Sequence, residues 1–129
     1  DMLIIKFLNH AKKNKQFFLN NSGNHWRDFT YINDVVEILY KLKNKNFKKN
    51  QIYNICSNRP IHIKKLIKYL INKTKYKKIK NVKHINYEVL KTHGKNDKIL
   101  KKINFKRFSD FYSNVDTTIN WYNNYHHLI

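Results

Sequence analysis

Apolar residues recur along much of the chain at spacings that select particular elements. Leu3, Ile4, Phe7, Leu8 and Ala11 fall three and four apart, so residues 2–13 read as an amphipathic helix. Gln16 to Leu19 is a short apolar run of strand type, and Asn20 to Asn24 is a turn by composition. Asp28 to Ile32 alternates and is aromatic and β-branched, which predicts a strand. Asp34 with Glu37 three residues on has the form of a capping box. It opens a helix with Val35, Ile38, Leu39 and Leu42 as its apolar stripe. Residues 43–50 form a polar loop, 51–56 a compact strand, and Ser57 to Pro60 a turn. Ile63, Leu66, Ile67, Leu70 and Ile71 follow the i, i+3, i+4, i+7, i+8 pattern and give the clearest helix. Ile79 to Val82 reads as a strand, 84–94 as irregular, and 96–103 as a short helix. Val115, Ile119 and Tyr122 mark a last helix reaching about Tyr125. Alternation of helix and strand predicts an α/β fold. No repeat or linker divides the chain, and its 129 residues make one domain at most, or a piece of a larger one.

Composition adds two exclusions. Aromatics at 15% and hydrophobic residues at 41% argue for a packed domain rather than disorder. No apolar run approaches the ~18 residues of a membrane span. The beginning, Asp1 to Ile5, lacks the basic flank of a signal peptide. Cys56 is the single cysteine, so no disulfide forms within the chain, and a reducing, cytoplasmic compartment is expected.

The net charge is +19, which invites a nucleic-acid reading. The excess is almost all lysine, with arginine only at 27, 59 and 107. Lysine, asparagine and isoleucine dominate, while Gly (2) and Pro (1) are scarce, a balance that AT-rich coding bias produces by itself. The lysines are spread out, with pairs from Lys12-Lys13 to Lys101-Lys102, and sit largely between apolar helix positions, as solvated faces do. Non-specific, salt-sensitive polyanion binding is expected from charge alone.

Self-contained catalytic motifs are missing from the sequence. Gly23 and Gly94 cannot make a dinucleotide or Walker loop. Cys56 lies among apolar strand-type neighbours and reads as a structural thiol. His126 and His127 belong to a solvated C-terminus rather than a zinc site. The Tyr87 to Lys91 spacing matches Tyr-x-x-x-Lys, but in an irregular segment, and is taken as chance.

The stretch Arg27-Asp28-Phe29-Thr30-Tyr31-Ile32-Asn33-Asp34-Val35-Val36-Glu37 resembles the RDFTYIDDIVE signature of nucleotide-sugar epimerases. These are extended short-chain dehydrogenases/reductases, and the nearest likeness is to the UDP-glucuronate 4-epimerases. Asp1-Met2 resembles the end of their RPDM, and Phe7, Ala11, Lys15, Asn21 and Gly23 follow in register. Ile52 to Ile55, then Asn58 and Pro60, resemble VYNIGNNSPV. Asn104-Phe105-Lys106 resembles GFKP, and Trp121-Tyr122 with Tyr125 resembles WYREYY. The likeness runs the length of the chain and loosens over the last forty residues.

The resemblance implies the C-terminal, substrate-binding part of a Rossmann-type enzyme, with short strands and four to five helices. It implies a missing N-terminal Rossmann half carrying the NAD loop and the catalytic Ser/Thr and Tyr-x-x-x-Lys. It therefore implies that this chain alone is inactive, holds no catalytic residue, and belongs to a homodimeric NAD-dependent enzyme acting on a UDP-sugar. Arg27 matches the arginine that grips the nucleotide diphosphate, a role suited to a planar donor fork. Glu88 falls at the acidic position that reaches the ribose, although Ile85 and Tyr87 replace its polar and glycine neighbours. Leu19 and Asn20 correspond to the strand end along the uracil, where the backbone matters. Cys56 stands where the family has glycine, Asn33 and Lys95 where it has aspartate, and Asn114 and Thr118 where it has glycine and an aromatic. Two alternatives stay open: another epimerase or dehydratase of the same family, or a non-catalytic basic module that binds polyanions.

Overall fold

The computed structural model describes residues 3–43, 45–46, 50–83 and 89–128. Five α-helices and four short strands are found among them. Helix α1 is Leu3–Lys12, followed by strand β1, Phe17–Asn20, and a 3-10 turn at Asn21–Gly23. Strand β2 is Trp26–Asp28 and helix α2 is Ile32–Lys43. Strand β3, Pro60–His62, runs directly into helix α3, Ile63–Thr74, and strand β4 is Ile79–Val82. Helix α4 is the single turn Asp97–Leu100, and helix α5 is Phe111–Tyr125.

The strands form two separate pairs. β1 runs parallel to β4, with Phe17 opposite Ile79 and Asn20 opposite Val82. β2 runs antiparallel to β3, with Trp26 opposite His62 and Asp28 opposite Pro60. Parallel neighbours need a crossover, and here it includes the second strand pair and helix α3.

The main core is built from the apolar stripes of α1 and α3 closing on β1. Phe7, Phe17, Leu66, Leu70 and Val115 are essentially buried in it. Phe7 is edge-on to both Phe17 (5.3 Å) and Tyr76 (5.5 Å). A smaller core joins Ile38 of α2 to Ile99, Ile103 and Phe108. α5 is tied to its neighbours by polar contacts. Tyr122 donates to Asn9 Oδ1 at 2.6 Å, and Tyr69 and Lys73 of α3 donate to Asp116 at 2.8 and 2.7 Å.

Several elements depart from the sequence reading. The strand expected at 28–32 lies at Trp26–Asp28 instead. Its partner at the Asp28 end is Pro60, which has no N–H to continue a ladder. Residues 51–56 join no ladder; Ile52 is 87% exposed, and side chains take the place of a strand neighbour. Lys98 donates to Ile52 O and Asn96 to Cys56 O. No capping box forms at Asp34, because α2 has already begun at Ile32. The Asp34 carboxylate instead accepts from the Ser109 hydroxyl at 2.8 Å and from the Ser109 N–H. Glu37 pairs with Lys41 one turn on, at 3.5 Å. Of the expected α2 stripe only Ile38 is buried, and Leu39 is 53% exposed. α4 is shorter than 96–103. α5 starts four residues before Val115, where Asp110 accepts from Ser113 N–H at 2.8 Å as its N-cap.

Candidate diphosphate-binding site

The parallel β1–β4 pair ends at Asn20, and the chain then turns sharply. Asn21, Ser22 and Gly23 all take positive φ, at 47, 50 and 76°. Gly23 must lack a side chain, since a Cβ there would lie 2.9 Å from the backbone nitrogen of Lys64. Ile63 N–H donates to His25 O at 2.9 Å, which locks the turn against the start of α3. This geometry launches β2, the strand that carries Arg27.

β2 is held from both sides. β3 flanks it on one edge. On the other, Trp26 N–H donates to Leu90 O at 2.9 Å and Thr92 N–H to Trp26 O at 3.2 Å, while Asp28 N–H donates to Thr92 Oγ1. Arg27 is half-buried, and its Nη1 donates to Trp26 O at 2.8 Å. Trp26 stacks edge-on against His62 at 4.6 Å.

Asp28 is the hub that the sequence reading passed over. Its Oδ1 accepts from Ser57 Oγ at 2.6 Å and Arg59 N–H at 3.3 Å, and its Oδ2 from Gly94 N–H at 2.9 Å. Two segments distant in sequence, 57–59 and 92–94, are thereby tied to the residue after Arg27. Charge-assisted bonds to backbone N–H groups are of the stronger kind. The only advance signal was the Arg-Asp dipeptide itself. Behind the hub, a Cβ on Gly94 would lie 2.4 Å from Cys56 Sγ. Burial, and then the Asp28 carboxylate, push the Cys56 thiol above its usual range, which disfavours the thiolate.

The other expected site residues divide. Leu19 is 5% exposed and its side chain belongs to the main core. Asn20 follows it at the strand end, with both side-chain amide atoms buried and without a hydrogen-bond partner among the described residues. Glu88 lies outside the described residues, as do Ile85 and Tyr87. No group of three potential metal ligands occurs among the described residues.

A second feature lies apart from Arg27. A groove of about 720 Å³ runs between α1, α5 and the Phe29–Val35 stretch, with Ile4, Phe29, Tyr31, Ile32, Val115 and Trp121 among its walls. Arg27, Leu19 and Asn20 do not line it. Its polar corner is the Asp34–Ser109 clasp, which Asn114 Nδ2 extends by donating to Ser109 Oγ at 2.6 Å.

Similarity to known proteins covers the stretch carrying β1, Arg27 and α2 and extends beyond it. Residues 1–56 match the model of the NAD dependent epimerase/dehydratase family. An uncharacterised protein of Methanocaldococcus jannaschii is 36% identical over 81 residues, covering 60% of this chain and 24% of that one. The CapI protein of Staphylococcus aureus is 26% identical over 144 residues, covering 98% of this chain and 43% of its own. Among solved structures, MoeE5 in complex with UDP-glucuronic acid and NAD superposes with a TM-score of 0.84 at 17% identity. That match covers 96% of this chain and 42% of MoeE5. The α/β fold is therefore the fold of this part of MoeE5. The chain spans less than half the length of the relatives it matches.

Proposed function

We propose that the chain is the substrate-binding portion of an NAD-dependent nucleotide-sugar epimerase or dehydratase, of UDP-glucuronate 4-epimerase type, in which Arg27 holds the nucleotide diphosphate. The observation that carries this reading is the placement of Arg27. It sits half-buried on a strand braced on both edges, next to a carboxylate that gathers the 57–59 and 92–94 loops. A guanidinium so mounted offers a fixed donor fork to phosphate oxygens. The match of residues 1–56 to the epimerase/dehydratase family and the fold shared with a UDP-glucuronate complex support the same reading.

NAD supplies the hydride acceptor in such enzymes. The described residues do not fit it: Gly23 leads into β2 rather than a helix, and the space beside Gly94 is filled by Cys56. No step through the dinucleotide is therefore assigned to this chain, and what its own residues do is bind and orient. In this proposal a separate NAD-binding portion packs along the apolar groove between α1 and α5. The exposed Ile32 and Trp121 at its rim support that placement.

Calorimetry with UDP tests the role of Arg27. A hydrogen bond to a charged group is worth about 1.5–3 kcal/mol, so Arg27→Ala should weaken UDP binding roughly ten- to more than hundredfold. Arg27→Lys should restore only part, because the ammonium keeps the charge and loses the fork. Equal UDP affinity in all three proteins would refute the assignment.

A further inference from the structure

The lysines that look scattered in sequence are gathered at one end of the fold. β1 and β4 pair in parallel, so the loops leading into them lie side by side. Phe17 N–H donates to Lys78 O at 2.9 Å, and the Tyr76 hydroxyl donates to the carbonyls of both Lys15 and Lys78. Lys78 Nζ reaches across to Asn14 O at 3.2 Å. Segments 12–15 and 73–80 are thus one surface. Eight of their twelve residues are lysine and none is acidic, against 27 basic residues in the 129 of the chain. Lys12, Lys13, Lys15, Lys73, Lys75, Lys77, Lys78 and Lys80 are all exposed. Asp116 pairs with Lys73 at 2.7 Å and is the one carboxylate bridged to this cluster among the described residues.

Four of these lysines have a local structural use. Lys12 and Lys73 occupy the last turns of α1 and α3, where cations oppose the helix dipoles. Lys78 donates to Asn14 O, and Lys80 lies over the Phe18 ring. The other four are in excess of that need. None of them is bridged to a carboxylate among the described residues, which leaves a face of positive potential. It lies at the N-terminal ends of β1 and β4, whereas Asn20 and the turn leading to Arg27 follow the C-terminal end of β1.

We propose that this lysine face is a binding surface for the phosphodiester backbone of a nucleic acid, without base specificity. The side chains suit that ligand over a lipid surface. The two loops themselves present no large exposed apolar residue. Phe18, 53% exposed beneath Lys80, is a lone aromatic at the border of the face rather than the apolar set that peripheral attachment to lipid uses alongside charge. Lysine alone suffices for backbone contact, and the face carries no arginine to read bases. The inference is independent of Arg27 and its ligand.

The test compares two quadruple variants of equal charge. One is Lys12→Gln, Lys13→Gln, Lys15→Gln and Lys77→Gln on the face. The other is Lys43→Gln, Lys95→Gln, Lys101→Gln and Lys106→Gln, all exposed and outside it. Binding to a random-sequence duplex is measured by fluorescence anisotropy across a salt series. Each lost phosphate contact removes about 0.9 from the slope of log K against log salt, so the face variant should flatten it by roughly three to four units. Its affinity at low salt should fall more than tenfold, and that of the control variant less than threefold. The pair Lys13→Gln/Lys77→Gln should give half the change in slope, which separates lost contacts from a lost fold. Equal losses in both quadruple variants, or no duplex binding by the unsubstituted chain at low salt, would overturn the proposal. So would a face variant that binds duplex normally and loses affinity for phosphatidylserine vesicles.

Discussion

Gly94 and Cys56 show how one residue can dictate another across the fold. A side chain at 94 has no room while Cys56 stands behind it, at 2.4 Å from the missing Cβ. Overpacking of this kind costs about 1–3 kcal/mol. Gly94→Ala should therefore lower the denaturation midpoint clearly. In Cys56→Gly, which vacates the space, the same Gly94→Ala change should cost far less. A double-mutant cycle by urea unfolding measures that coupling. Strictly additive effects would mean that the two residues do not share the space. The outcome bears on the candidate site, because Gly94 N–H is one of the groups that Asp28 gathers beside Arg27. Asp28→Asn should keep the strand and weaken the gathering. UDP affinity should fall in Asp28→Asn even though the substitution does not touch the Arg27 side chain, and calorimetry reads that loss directly.

Among the elements, α3 and α5 are joined by a clasp with a defined pH response. Asp116 accepts from Lys73 and Tyr69, and these bonds, Lys73 first, hold its carboxyl below the ordinary range. A depressed native pKa contributes stability that is present above the unfolded carboxylate's pKa and is lost as pH falls through the native one. Thermal stability should thus decline on acidification below the unfolded aspartate range, about pH 4. Asp116→Asn should remove part of that slope and leave the neutral-pH fold intact. Melts recorded from pH 6 to 3 on both proteins give the comparison, and parallel curves would assign the acid response elsewhere. The clasp was invisible in the sequence, since it joins residues 43 to 47 positions apart. What was legible was local. The period of α3 gave Ile63, Leu66, Ile67, Leu70 and Ile71, of which the first four are buried and Ile71 is partly buried. The strand at Ile79 to Val82 was readable from its apolar ends. Gln51 to Cys56 misled, because an apolar-rich run says nothing about whether another strand lies alongside. Asp34 misled because its Ser109 partner is 75 residues away, while Glu37 stands at the spacing of a local cap. Arg27 was legible only through resemblance, and Asp28 stood in the same signature without its role being read.

For the molecule as a whole, the distribution of apolar surface decides how the isolated chain should behave. The main core is well packed, yet Ile32, Val36, Leu39 and Tyr40 of α2 are each more than half exposed. Trp121 and Tyr125 of α5 are also exposed, at 43 and 48%, and Trp121 lines the 720 Å³ groove. A side chain left in water forgoes the roughly 1.5–3 kcal/mol that full burial of a large apolar residue contributes. A domain's total margin is only about 5–15 kcal/mol, so several such residues weigh heavily. The chain by itself should bind an apolar dye strongly and melt broadly. Two substitutions sharpen the expectation. Val36→Glu and Leu39→Lys alter exposed positions of α2 and remove no buried contact, so they should cut dye binding without lowering the midpoint. Ile38→Ala, one helical step away and fully buried, should instead cost about 2–5 kcal/mol. Turnover of UDP-glucuronate by the purified chain should be undetectable, because the proposed role confines these residues to binding. A sharp, dye-free melt of a monomer would show that the exposed faces need no partner. Measurable epimerisation by the chain alone would show that the chemistry does not wait for one.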